Sequence, residues 1–174
     1  MSLRVVGSIN LGGKMRQLLF IVAATVMSTA VVYGSDTATQ IVTMSTSAIN
    51  ELAISGSAPT LSISTAVAGA APTSSASSSI TYAITTNETS KKITGAINTN
   101  MPSGTTLSIN LAAPSGASSL GNTSLSTTVA DLVTGISTLN ESGLSIDYTF
   151  AATAAAGVIA SFTKTVTLTI VDGA

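Results

Sequence analysis

The sequence predicts an all-β chain, an immunoglobulin-like or jelly-roll-like antiparallel β-sandwich of about seven to nine short strands. Three observations predict it. Apolar side chains recur on every second residue through the C-terminal third: Leu144, Ile146, Tyr148 and Phe150, then Val158, Ala160 and Phe162, then Val166, Leu168 and Ile170. A period of two gives a strand one buried and one wet face. Only 7% of the 174 residues are charged and 3% aromatic, and Ala, Ser, Thr and Gly dominate, so hydroxyls rather than ions carry the polar load. That balance suits a Thr/Ser-faced sheet protein. Finally, Gly, Pro, Asn and Ser clusters punctuate the chain at short intervals with no tandem repeat, which favours a sandwich or small barrel over a solenoid.

In chain order, residues 1–34 read as a secretory signal peptide. Arg4, Lys14 and Arg16 precede an apolar run from Leu18 to Tyr33, and small or β-branched residues close it at Val32 and Gly34. A basic start, a short apolar core and a small-residue exit are the parts of an export signal. Met15 is an alternative start. Gly12-Gly13 ahead of the bases resembles a type IV prepilin leader, but the acidic residue expected near the start of that helix is missing; a retained anchor is the other alternative. Cleavage after Gly34 leaves three lysines against seven carboxylates, a net charge of −4.

Residues 35–57 follow as an N-terminal arm or first strand, with Val42, Met44, Ala48, Leu52 and Ile54 on even positions. Residues 58–174 form the sandwich domain. Residues 60–67 read as a strand, 68–79 as a loop, and Ile80, Tyr82 and Ile84 as the next strand. Asn87 to Lys92 is a solvated turn, which makes 93–97 the hairpin partner of that strand. Leu107, Ile109 and Leu111 mark another strand, and 114–127 a long loop with a short strand around Leu125. Residues 129–136 depart from the period of two; Ala130 to Val133 predict one helical turn, capped by Thr127 or Thr128 and ended by Gly135. Asn140 to Gly143 is a turn delivering the chain to a final antiparallel hairpin, 144–150 against 158–170.

No residue names a reaction. Without histidine or cysteine the chain lacks the usual general base, the usual nucleophile, disulfides and most zinc ligands. A carboxylate hydrolase remains conceivable through Glu88, Glu141 and Asp147, yet surface acids are the ordinary reading of these residue types. No Asp-rich calcium loop is present, so neither metal nor cofactor is expected. The charge balance leaves no footprint for nucleic acid. Asn87, Asn122 and Asn140 begin glycosylation sequons that arise easily by chance in so Ser/Thr-rich a chain. The row Thr163, Thr165, Thr167 and Thr169 is too narrow for an ice-binding plane and reads as good strand-forming sequence. Lys164 is the odd residue: its parity places it with Phe162 and Val166 on the core face. A buried unpaired ammonium is costly, so a bulge, a rim position or a carboxylate from another subunit must relieve it.

A signal peptide, a loosely patterned arm and a Thr/Ser-rich sandwich ending in an alternating strand together resemble bacterial fimbrial or biofilm-fibre subunits, among them chaperone–usher pilins and the spore-coat-U-like group. The paired cysteines of many pilins are absent. The resemblance implies a structural, non-enzymatic subunit of an extracellular or cell-surface filament, exported through the secretory pathway. It implies a homopolymer built by β-strand donation between neighbours, served by an export chaperone or an outer-membrane assembly protein, with membrane contact confined to the signal peptide during export. The donor residues would be Val42, Met44, Ala48 and Leu52. The acceptor and core strands would carry Leu144, Ile146, Tyr148, Phe150, Phe162, Val166, Leu168 and Ile170, with Lys164 at the rim or between subunits. A monomeric adhesin or binding module is the alternative; its usual exposed aromatics are lacking, since Tyr82, Tyr148 and Phe150 sit in core parity.

Overall fold

Ile80, Tyr82 and Ile84 alternate with smaller residues, and that alternation is what β2 (Ser75–Thr86) uses to bury one face. The computed structural model describes residues 36–173, so the export-signal reading of residues 1–34 lies outside the described residues. The chain divides into two units, Met1–Thr43 and Met44–Ala174. Of the first, residues 36–43 carry no strand or helix and are exposed. The second holds nine strands: β1 (Asn50–Ser55), β2, β3 (Lys91–Ile97), β4 (Thr105–Leu111), β5 (Ser118–Ser119), β6 (Thr123–Ser124), β7 (Ala130–Ile136), β8 (Leu139–Ala152) and β9 (Val166–Asp172). The one helical element described is a 3-10 turn, Ala154–Ala156.

The strands form two antiparallel sheets, ordered β1-β2-β8-β4-β6 and β5-β7-β3-β9. One face of each meets the other in a sandwich-like core. Tyr82, Ile84, Ile109, Leu111 and Ile146 come from the first sheet, and Ile93, Leu132, Val133 and Ile136 from the second. Each such side chain contributes about 1.5–3 kcal/mol on burial, so these nine dominate the apolar stabilisation. Every buried side-chain polar atom described has a partner. Tyr82 reaches across the core rim to donate its phenolic hydrogen to the carbonyl of Ala112.

Several local expectations are overturned. The final hairpin does not exist: β8 pairs with β2 and β4, while β9 pairs with β3 in the other sheet. Likewise β3 is no partner of β2. The cause is common to both. After β2 each successive strand lies in the sheet opposite the one before, so the turns arch over the sandwich end instead of closing hairpins. Residues 130–136 are a strand, not a helical turn. Their broken period is a register irregularity opposite Lys91 to Thr94 that lets Leu132 and Val133 both reach the core. Gly143, at φ 74, is likewise not in a turn; it sits in a bulge inside β8, where the register against Tyr82 and Ile84 shifts. β2 begins five residues earlier than its large apolar residues announce, because Ser75, Ala76 and Ser77 pair with β8. The loop before it is correspondingly shorter.

Gly95 lies in the buried middle of β3, and a Cβ there would stand 2.7 Å from Leu132 Cδ1 and 3.3 Å from Leu168 Cδ2. We expect Gly95→Ala to overpack this point and lower unfolding free energy by about 1–3 kcal/mol in urea titrations. A second expectation concerns Tyr82, whose hydroxyl is pushed up to about 12, first by burial and then by the nearby Glu141 carboxylate. Because the folded value lies above the ordinary 10.0, the tyrosine's contribution is complete below pH 10.0 and fades as pH climbs toward 12. Alkaline urea titrations should show that loss in the wild type and a shallower one in Tyr82→Phe.

Candidate functional site

The two edge strands β1 and β9 belong to different sheets but approach one another on one side of the sandwich. At one end a polar cluster holds them. Lys91 opens β3 opposite Asp172 at the end of β9, and its ammonium bonds the Asp172 carboxylate and Glu88 Oε2 at 2.8 Å. Glu88 in turn accepts from the side-chain amide of Asn50, the first residue of β1, and Asn50 Oδ1 accepts from Thr86 Oγ1 at 2.7 Å. The Lys91 ammonium thus sits between two carboxylates, with its stem buried, and ties the β2–β3 turn to both edge strands. Asp131 pairs with Lys92 at 3.1 Å, and Glu141 accepts from the Ser115 amide. Glu88, Glu141 and Asp147, the carboxylates a hydrolase would need, are thus spread over separate contacts or strand faces. Among the described residues no group of three His, Cys, Asp or Glu converges as a metal site.

Toward the other end the edges part. Gly56, at φ 112, turns the chain off β2, and Pro59 follows it. Residues 60–67, expected as a strand, are therefore left without a neighbour except for one bridge between Ala66 and Pro72. Across from them, β9 starts only at Val166, because its partner β3 ends at Ile97 and the chain turns away through Asn98. Residues 158–164, whose alternation predicts a strand, make no backbone hydrogen bond among the described residues. On the opposite flank, residues 57–64 make one described backbone bond, from the Ser62 amide to Ser75 Oγ at 3.2 Å.

Between these two unpaired runs lies a half-open groove of about 1140 Å³. Its floor is the end of the apolar core, with Ile80, Leu107, Tyr148 and Phe150, and Leu61 and Ile63 lean in from one flank. Phe162 leans in from the other, 38% exposed, its ring edge-on to Phe150 with centroids 6.1 Å apart. The volume exceeds that of ordinary small-molecule pockets, and nearly all the lining is apolar or hydroxylic. Among the described residues, Lys164 is the single charged one on it. Its ammonium donates to Thr99 Oγ1 and to the Asn100 carbonyl, both at 2.7 Å, and stands 5.6 Å from the centre of the Phe162 ring. It thus lies at the rim, without a bulge, bonded to the β3–β4 loop.

The expected site residues distribute as follows. Ile146 and Tyr148 are buried in the central strand β8, and Leu144 and Phe150 are half-buried beside them. Val166, Leu168 and Ile170 point from β9 onto the core. Val158 does not: it is fully exposed, and Ile159 is the half-buried residue of that run. Of the arm, Leu52 belongs to β1, paired with Ile84, and packs on the core of its own chain. Val42 and Met44 are 64% and 84% exposed, Ile41 is 94% exposed, and Ala48 is exposed as well. Ile49 and Ser47 are fastened by Asn87, which accepts from the Ile49 amide and donates to the Ser47 carbonyl, each at 2.8 Å. Sequence reasoning expected an acceptor groove bounded by a strand such as Val158 to Ile170; the flank of Leu61 and Ile63 was missed, and its strand-like alternation was the signal. No protein-family model, curated protein or solved structure matches the chain.

The polar cluster has a pH signature. Glu88 and Asp172 lose their protons more readily than free carboxyls because Lys91 hydrogen-bonds each, and Lys91 is held above its usual range by Asp172 and then Glu88. Depressed carboxyl values mean stabilisation that is complete above 4.5 for Glu88 and 3.8 for Asp172, and lost as pH falls through the lower folded values. Lys91→Met should therefore lower the urea midpoint near neutrality and cost progressively less in acid. A gap that stays constant down to full carboxyl protonation would show that the cluster does not carry this stability.

Proposed function

We propose that this chain is a structural subunit of an extracellular filament, a pilus or biofilm fibre, exported through the secretory pathway and joined by β-strand donation between neighbours. The observation that carries the proposal is a complementarity. The chain has an arm without helix or strand whose apolar side chains face solvent, and a groove flanked by backbone that mostly lacks a neighbour. Strand addition uses these two features: main-chain hydrogen bonds give affinity, and alternate side chains filling pockets give specificity. The donor is shorter than sequence alone suggests, residues 36–46 with Val42 and Met44, since Leu52 is committed to β1 and Asn87 holds Ser47 and Ile49, with Ala48 between them, to the end of β2. Eleven residues, once extended, reach about 36 Å, about one and a half times the seven-residue flank 158–164.

The finer architecture belongs with this reading. Seven of the eight connections between strands cross from one sheet to the other, as expected of a jelly-roll-like plan; an immunoglobulin-like plan would hold more same-sheet hairpins. Partners other than a second copy, an export chaperone or an outer-membrane assembly protein, follow from the filament reading alone. The adhesin alternative gains no support from aromatic placement, because Tyr82 and Tyr148 are buried and Phe150 and Phe162 pack on each other.

Deleting residues 36–47 should leave a protein that stays monomeric and no longer sediments as polymer, and Val42→Asp with Met44→Asp should do the same. The deletion stops short of β1, so circular dichroism should keep its sheet signal. Fibres formed by the truncated chain would dismiss the arm as donor.

A further inference from the structure

Residues 60–65 and 158–164 carry strand-forming sequence, yet neither forms a strand in the isolated chain. Ser and Thr alternate with Leu61, Ile63 and Phe162, no charge interrupts either run before Lys164, and no proline lies inside them. Residues 158–164 make no described backbone hydrogen bond, and 60–65 make two, from the Ser62 amide to Ser75 Oγ at 3.2 Å and from the Thr73 amide to the Thr65 carbonyl at 2.8 Å, so most of both β-forming runs lacks a ladder neighbour. Both runs are continuations of edge strands, one following β1 and the other preceding β9, and both line the same groove.

The arm has the complementary pattern. Asp36 is the single charged residue of residues 36–49, and Lys164 the single charged one among the described residues lining the groove. Lys91 and Lys92 each have carboxylate partners, whereas Lys164 has none among the described residues. Its ammonium has three hydrogens, and two are used on Thr99 and Asn100, which leaves one for a carboxylate.

Resting on the filament reading, we propose that residues 158–164 and 60–65 are latent strands. They enter the sheets when the arm of a second copy lies between them, with the arm's direction set by Asp36 against Lys164. With Asp36 at the Lys164 end, later arm residues run past Phe162 toward Val158, so the arm is antiparallel to residues 158–164. In that register Ala38 lies opposite Phe162 and Val42 opposite Val158, so the arm's even-numbered side chains share the Phe162 face and Met44 lies just beyond the flank. Docking therefore adds backbone bonds on both flanks in one step, and the subunit gains ordered sheet that it lacks alone.

The test compares amide hydrogen exchange of the full chain as monomer, as assembled polymer, and as monomer mixed with a synthetic peptide of residues 36–49. Exchange at residues 158–164 and 60–65 should slow at least about tenfold in the polymer, and with the peptide, as open amides become ladder bonds. Assembly without added protection there would overturn the latent-strand inference and leave the filament reading standing. Absence of both assembly and peptide protection would overturn the two together. For direction, Asp36→Lys and Lys164→Asp should each weaken peptide or subunit binding about fivefold, in line with a partly shielded ion pair. Combining them should restore it. A double variant no better than the single ones would overturn the assigned direction.

Discussion

An extended backbone segment carries donors and acceptors along both edges, and the whole fold follows from how those edges are satisfied. β8 lies at the middle of one sheet with β2 and β4 on its sides, and β3 is held in the other between β7 and β9. These central strands hold much of the buried apolar surface, because only a strand flanked on both edges and covered on one face escapes water. Chain that leaves a sheet without finding a new neighbour stays extended and wet. Gly56 after β1 and Thr165 ahead of β9 are where that happens, and the groove is the space left between those two runs.

The two ends of the sandwich side are therefore different in kind. Around Lys91, four polar residues converge within hydrogen-bond reach and hold β1, β9 and the β2–β3 turn together. A carboxylate–ammonium–carboxylate arrangement on a mostly solvated rim adds modest energy, but it fixes which strand ends meet. At the other end apolar side chains reach the surface, and among the described residues nothing comparable ties the edges. Lys164 bonds the β3–β4 loop instead of the opposite flank, so the groove walls are fastened separately. One end is closed by charge and the other is bordered by unpaired backbone.

Strand identity was legible wherever large apolar residues alternate, as in β2, β4, β8 and β9. The strands' partners were not legible. Alternation at Leu144 to Phe150 and Val166 to Ile170 says that each has a wet and a dry face, and it says nothing about which sheet each joins. A Gly-containing link invites the hairpin reading, yet the Thr153 to Gly157 corner carries the chain to the opposite sheet. The strand β7 was hidden by a bulge, since Leu132 and Val133 adjacent in sequence imitate a helical pattern when both are buried. Gly143 imitated a turn for the same reason. The Leu61 and Ile63 flank of the groove was not legible, because its counterpart lies about one hundred residues away and the run merely looks like one more strand.

Those two segments also lack the usual defences of a free edge. Sheet proteins protect exposed strands with lysines, inward charges, prolines or bulges, because bare edges recruit one another. Here Pro59 precedes one run and Lys164 ends the other, and the residues between are hydroxylic or apolar. With 7% charged residues in the whole chain, repulsion from the surroundings does little to compensate. A bare edge beside an apolar floor either aggregates without selection or is reserved for one partner, and a single cation at one end is the simplest device for the second outcome. It leaves the groove open to strand-forming sequence while favouring an entrant that brings one negative charge at one end. The arm of this same chain, uncharged except at Asp36, meets that condition.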